Sequence, residues 1–217
     1  IREEAERLSQ PHSLPAFIHK AWPVLKPQEI YQQNSHIDAT CEYLEAVSAG
    51  EIKRLQVWLP PAMMKTGTVS VFWHAWEWTH MPWLRYWTAS YETRLAGRMS
   101  VMSRDVMQSV WYQERWGDVF SFIREGEHYY GNDQGGTRLA TAPKSTRTGE
   151  HGHRIIIDDP INFAAADATS RVVLEGTNEW YDGSVQGSKA DPEISAEVII
   201  MQRLHENDLP AHAMEVL

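Results

Sequence analysis

Apolar residues recur at helical spacing in the stretch HIDATCEYLEAV, at Ile37, Cys41, Leu44 and Val47. Residues 16–50 as a whole read as helical segments broken at LKPQ. The pattern then changes. LQVWLPP is short, apolar and stopped by two prolines, so it predicts a buried strand, with a helix from Lys65 to Trp78 behind it. LRYWTAS predicts a second strand, YETRLAGRMSVMSRDVMQSVW a two-faced helix and TRLAT a weaker strand. HRIIIDDP carries the strongest strand signal, three isoleucines ending in two aspartates and a stop at Pro160. AADATSRVVLEGTNEWYDG predicts a helix closed by Gly183, and AEVIIMQR another apolar strand with a polar end.

Strands alternating with helices predict an α/β fold with a mostly parallel central sheet and helices on both faces. In such sheets ligands bind beyond the carboxyl ends of the strands. Lys65 and Thr66 follow the first strand, Asp158 and Asp159 end the isoleucine strand, and Gln202 and Arg203 end the last. These three groups are expected to face one crevice.

Composition narrows the picture. The 217 residues suit one sizeable domain, and 42% hydrophobic content supplies a core. The net charge of −9 argues against wrapping nucleic acid on a basic surface, though not against gripping it through a few local contacts. The single cysteine, Cys41, excludes an intrachain disulfide framework and fits a reducing compartment. No apolar run approaches the ~18 residues of a membrane span, and IREEAERLSQPHSLPAF has no signal-peptide core. The chain starts with Ile, which reads as a fragment or a missing start. Of ten tryptophans, five fall between Trp73 and Trp87. Their spacings suit core or interface packing more than base stacking.

The stretch LPPAMMKT, Leu59 to Thr66, has the Lys-Thr ending of a phosphate-binding loop between a strand and a helix. In such a loop backbone N–H groups and the helix N-terminus face the anion, the lysine reaches the β- and γ-phosphates, and the hydroxyl holds Mg²⁺. The pattern G-x-x-x-x-G-K-[ST] would put glycine at Leu59 and Met64, and neither is glycine. If Met64 must take a left-handed conformation, the cost is on the order of 1 kcal/mol. IIIDDP supplies the matching half: a buried strand whose first carboxylate, Asp158, can hold Mg²⁺, and whose next, Asp159, can orient or deprotonate water. The two halves lie 158 − 65 = 93 residues apart. Arg147, in the polar loop STRTGEHGH, is a candidate for stabilising transition-state charge, with Arg98, Arg138 and Arg203 as competitors. Gln202 is a candidate γ-phosphate sensor. His151 and His153, with no cysteine nearby, read as loop chemistry rather than a zinc site.

The order of these blocks resembles the ATPase half of tailed-phage terminase large subunits, the motors that pump DNA into empty capsids. The likeness runs from about residue 28 to 210, through HIDATCEYLEAVSAGEIKRLQVWLPPAMMKTGTVSVFWHAWEW, ASYETRLAGRMSVMSRDVMQSVWYQ, GGTRLAT, TGEHGHRIIIDDP and IIMQRLHENDL. It implies an ASCE-type P-loop NTPase fold, with about residues 1–50 as a helical segment and 51–210 as the core. By position, Pro61, Ala62, Met63, Met64, Lys65, Thr66 and Gly67 form the phosphate loop. Thr66 and Asp158 become the Mg²⁺ ligands, Asp159 the catalytic carboxylate that many members supply as Glu, and Gln202 the coupling residue. The cofactors implied are ATP and Mg²⁺. The implied partners are double-stranded viral DNA, the portal protein, the small terminase subunit and further copies in a ring, with no membrane. The implied location is the host bacterial cytoplasm, transiently at the portal vertex. Some branches of the family carry a methionine before the loop lysine. Ala62 and Met63 stand where a basic residue is often found. The nuclease domain that normally follows has no counterpart before Leu217.

Two other readings compete. One is a hydrolysis-deficient nucleotide-binding ring module of the packaging machine. The other takes Asp158 and Asp159 as half of a two-metal nuclease site, and predicts DNA cleavage that survives loss of Lys65.

Overall fold

The structure, a computed structural model, describes residues 13–143 and 150–215. Two helices come first, α1 (Leu14–Leu25) and α2 (Ser35–Ser48). The expected face of α2 is the buried one: Ile37, Cys41, Leu44 and Val47 all enter the core. Glu45 of α2 accepts from the Leu14 N–H at 2.6 Å, so a carboxylate satisfies one orphan donor at the start of α1.

Strand β1 (Arg54–Trp58) leads through the Pro-rich loop into a helix over residues 65–77, here α3. Its middle, Gly67–Trp73, winds as a π-helix, and His74–Glu77 closes it as an α-helical turn. Next come β2 (Arg85–Ser90), α4 (Thr93–Gln108) and α5 (Val110–Trp116). The sequence pattern predicts one helix over this last stretch. Instead Ser109 takes an extended backbone, and its hydroxyl accepts from the Tyr112 N–H to start α5. Strands β3 (Phe122–Glu125), β4 (Tyr129–Asn132), β5 (Thr137–Thr141) and β6 (Arg154–Asp158) follow. Helix α6 (Arg171–Trp180) begins where the Ser170 hydroxyl accepts from Val173 N–H. Residues 165–170, expected to be helical, are turns, and Gly183 lies inside a π-helical turn, Tyr181–Val185, rather than closing the helix. Strand β7 (Ala196–Met201) and α7 (Leu209–Glu215) complete the described chain.

The seven strands form one sheet in the order β1-β7-β6-β2-β5-β4-β3. β1, β7, β6, β2 and β5 run parallel, and the β3–β4 hairpin is antiparallel at one edge. β6 lies in the middle and is buried along its length. Ile155 and Ile157 pack into one core with Trp87, Leu139 and Ile199, and Ile156 packs into the other with Phe72, Val198 and Ile200. Burial on both faces is why three isoleucines stand in a row rather than alternating with polar residues. Trp73 and Trp78 are fully buried, and Trp76 and Trp87 nearly so, while Trp83 stays 42% exposed. Among the described residues no helix is long and apolar enough to cross a membrane.

Candidate nucleotide site

β7 lies between β1 and β6, and the register aligns their tips: Trp58 pairs with Met201, and Asp158 with Ile200. The loop after β1 and the aspartates ending β6 therefore open on one edge of the sheet, where α3 starts. Lys65 Nζ lies 2.9 Å from Asp159 Oδ2. The Thr66 hydroxyl donates to Asp158 Oδ1 at 2.9 Å. The structure thus brings together Lys65, Thr66, Asp158 and Asp159 from the two halves of the sequence.

The loop reaches this geometry through left-handed backbone. Ala62 has φ 64° and Met64 φ 58°, so the position that glycine takes in the phosphate-loop pattern does need the conformation that glycine adopts at least cost. Met64 offsets part of that cost by packing its side chain against the core beneath α3. Among the described residues no N–H of residues 62–67 finds an acceptor. Unpaired donors at the start of a 13-residue helix, and a loop with residues of opposite hand, make a setting suited to an anion. Pro61 and Ala62 lie on the exposed outer turn, Met63 is half-buried, and Gly67 opens the π-helical run.

Asp159 is the third left-handed residue, at φ 45°, although it precedes Pro160, a position that favours extended backbone. Its N–H donates to Ile200 O at 2.9 Å and its carbonyl accepts from Tyr91 N–H at 3.1 Å. Two neighbouring strands therefore fix a conformation the residue would not choose alone. The twist turns the carboxylate out of the line of β6 and toward Lys65.

Asp158 is 4% exposed. Burial pushes its carboxyl up to about 6 and the Asp159 charge adds to this, against hydrogen bonds from Ser70 and Thr66 and the charge of Lys65. Ser70 Oγ donates to its second oxygen, Oδ2, at 2.7 Å. Ser70 was not legible as a site residue, because it stands inside the apolar run TVSVFW with only its four-residue spacing from Thr66 as a signal. One carboxylate and hydroxyls suit Mg²⁺, a hard cation that normally arrives with phosphates and keeps several waters. Among the described residues no group of three or more His, Cys, Asp or Glu could hold a metal without such help.

The other expected residues fall elsewhere. Gln202 follows β7 directly, between the tips of β1 and β6, half-buried, and makes no side-chain hydrogen bond among the described residues. Arg203 turns away: its Nε donates to both Asp208 carboxylate oxygens at 3.0 Å, and its guanidinium lies over the Trp58 ring at 4.8 Å. Arg98 is exposed on α4, and Arg138 is fully buried in the core. Arg147 lies outside the described residues. His153 Nδ1 accepts from the Arg85 N–H at 3.1 Å and its ring packs edge-on against Trp83.

α3 is fastened to β6 at both ends. Beyond the Asp158 contacts at its start, its last residue, Glu77, is fully buried and receives the Arg154 guanidinium at 2.8–3.0 Å. Tyr86 and Ser48 hydroxyls complete the shell of Glu77. Arg154 and Asp158 are the first and last residues of β6, so one strand anchors both ends of the helix that carries Lys65 and Thr66.

No protein-family model matches the sequence, and no curated protein matches it. Solved structures do. The crystal structure of the HK97 bacteriophage large terminase matches with a TM-score of 0.59 and 11% identity, over 92% of this chain and 39% of the terminase. A mutant ATPase domain of the Thermus phage P74-26 large terminase matches with a TM-score of 0.46 and 13% identity, over 80% of this chain and 66% of that one. The fold, a mostly parallel seven-stranded sheet covered by helices, is similar to that of the HK97 large terminase, of which this chain spans well under half the length.

Proposed function

We propose that the chain is the ATP-hydrolysing motor domain of a viral DNA-packaging machine. The observation that carries this is the convergence of Lys65 and Thr66, on a loop of unpaired N–H groups, with Asp158 and Asp159 at the tip of the neighbouring strands. In this reading ATP places its phosphates on residues 61–67. Bound Mg²⁺ supplies charge neutralisation at the phosphate oxygens.

Thr66 Oγ1 can face a cation with its lone pairs while still donating its proton to Asp158. Lys65 exchanges Asp159 for phosphate oxygens, which leaves the Asp159 carboxylate free to accept a proton from water. Asp159 is one methylene shorter than a glutamate, so the left-handed turn at this residue supplies reach that the side chain lacks. Gln202, beside both tips, would register what occupies the loop. Arg147, or an arginine from a neighbouring copy, would add the remaining positive charge. Double-stranded DNA, a portal, a small subunit and a ring of copies are the partners this reading implies, in the cytoplasm of a bacterial host.

The test is release of phosphate from ATP by the purified protein with Mg²⁺, with and without double-stranded DNA. Turnover that Asp159→Asn abolishes and Asp159→Glu retains supports the reading. Binding without turnover under all of these conditions, including in assembled rings, would favour the non-hydrolysing ring module instead.

A further inference from the structure

Arg138, on β5, is 0% exposed and makes no ion pair among the described residues. A buried cation with no direct carboxylate contact is costly. A hydrogen bond with Tyr130 and the Asp158 charge offset part of that cost, and its remaining contacts need a reason. One guanidinium nitrogen donates to the Ser70 carbonyl at 2.6 Å, and the other faces His74 Nδ1 at 3.0 Å. Both acceptors lie on α3. Ser70 is also the residue whose hydroxyl holds Asp158.

The Ser70 carbonyl lies in the middle of the π-helical run Gly67–Trp73. In an α-helix it would accept from the His74 N–H, four residues on. Here the His74 N–H donates to Val71 O, and Arg138 donates to the Ser70 carbonyl. A side chain inserted into the ladder of helix hydrogen bonds is a recognised cause of such a departure, and π-turns gather at functional sites. Because Glu77 is fixed to Arg154 at the far end, the winding between residues 70 and 77 sets the direction in which Thr66 and Ser70 point.

We propose that Arg138 is a positioning residue for the Mg²⁺-holding carboxylate: by taking the Ser70 carbonyl it keeps α3 in the wider winding that aims the Thr66 and Ser70 hydroxyls at Asp158. This inference rests on the nucleotide-site reading for its consequence, but not for its geometry. Burial and the Arg138 charge hold His74 well below its ordinary value, so the ring is neutral and can accept from the guanidinium.

The experiment compares wild type, Arg138→Lys and Arg138→Met in two ways: crystal structures without nucleotide, and ATP affinity with Mg²⁺ against ATP affinity in EDTA. In Arg138→Met the His74 N–H is expected to return to the Ser70 carbonyl, with Ser70 Oγ leaving Asp158. The gain in affinity that Mg²⁺ confers should fall about tenfold, as for outer-shell partners of metal ligands, while affinity in EDTA holds. Arg138→Lys, which keeps a donor, should restore part of both. An Arg138→Met structure that keeps the wild-type winding overturns the inference. So does a changed winding with an undiminished Mg²⁺ gain. Were wild type itself to show no Mg²⁺ gain, the nucleotide reading would fail, and the winding alone would decide the role of Arg138. If Arg138→Met does not fold, Arg138→Gln takes its place with the same two readouts.

Discussion

Lys65 and Asp159 hold each other: the ammonium is 6% exposed, the carboxylate 20%, and they meet at 2.9 Å. The group proposed to bind phosphate is thus engaged by the group proposed to activate water. A phosphate entering the loop must compete with Asp159 for Lys65. Asp159→Asn is therefore expected to raise affinity for ADP, which cannot be hydrolysed at a γ-phosphate. The gain should be roughly two- to fivefold, the worth of a partly screened ion pair. Isothermal titration of wild type and variant checks it, and equal or weaker binding by the variant would count against the competition.

The left-handed residues of the loop carry a stability cost that a substitution can recover. Ala62 is exposed at φ 64°, so Ala62→Gly loses little packing and relieves the backbone. A gain of about 0.5–1 kcal/mol in urea denaturation is expected. Met64→Gly should gain less, because the Met64 side chain packs on the core.

Asp158 gives stability a pH dependence of known sign. Its carboxyl is raised from 3.8 to about 6 in the folded protein, chiefly by burial. The folded state therefore binds this proton more tightly than the unfolded one. The stability this confers is complete below pH ~4 and is lost as pH rises through about 6. Asp158→Asn removes the burial cost of the charge and keeps an oxygen for Thr66 to donate to. In metal-free buffer it should be more stable than wild type by about 3 kcal/mol at pH 7.5, with the difference vanishing near pH 4. Paired denaturation curves at the two pH values test this.

The Glu77–Arg154 pair should behave in the opposite way. Removing one partner leaves a buried charge alone, so Arg154→Met is expected to cost about 3–5 kcal/mol. Thermal unfolding reads the loss. Molecules that remain folded should still bind nucleotide, because Lys65 and the loop lie at the other end of β6 from the pair. Their gain from Mg²⁺ should be smaller, because the far end of the helix carrying Thr66 and Ser70 is no longer fixed.

Much of this fold was legible in the sequence, and the reasons are local. Both polar ends of the site follow the stops of the apolar runs at β1 and β6. β6 is buried as expected, but β1, expected to be buried, is a half-buried edge strand with Trp58 42% exposed, because β7 covers it on one side only. The β3–β4 hairpin was not legible, because Ile123, Arg124 and Glu125 all face solvent and leave no alternation to read. The break at Ser109 depends on a single hydroxyl cap within an otherwise periodic stretch. Ser70, Arg138 and the Glu77–Arg154 clamp depend on contacts between residues about 70 to 90 positions apart in the chain, which no local pattern encodes. The left-handed turn at Met64 was conditional on the sequence and is resolved only by the backbone.

The most direct measurement is the thermal stability of the protein with ATP and Mg²⁺, beside Lys65→Ala and Asp158→Ala. A ligand that binds the folded state raises apparent stability by about 2.7 kcal/mol at a hundred times its Kd. The account predicts a clear upward shift in Tm for wild type, absent in Lys65→Ala and indifferent to Mg²⁺ in Asp158→Ala. No shift at millimolar ATP, or the same shift in Lys65→Ala, would contradict a nucleotide site at this loop.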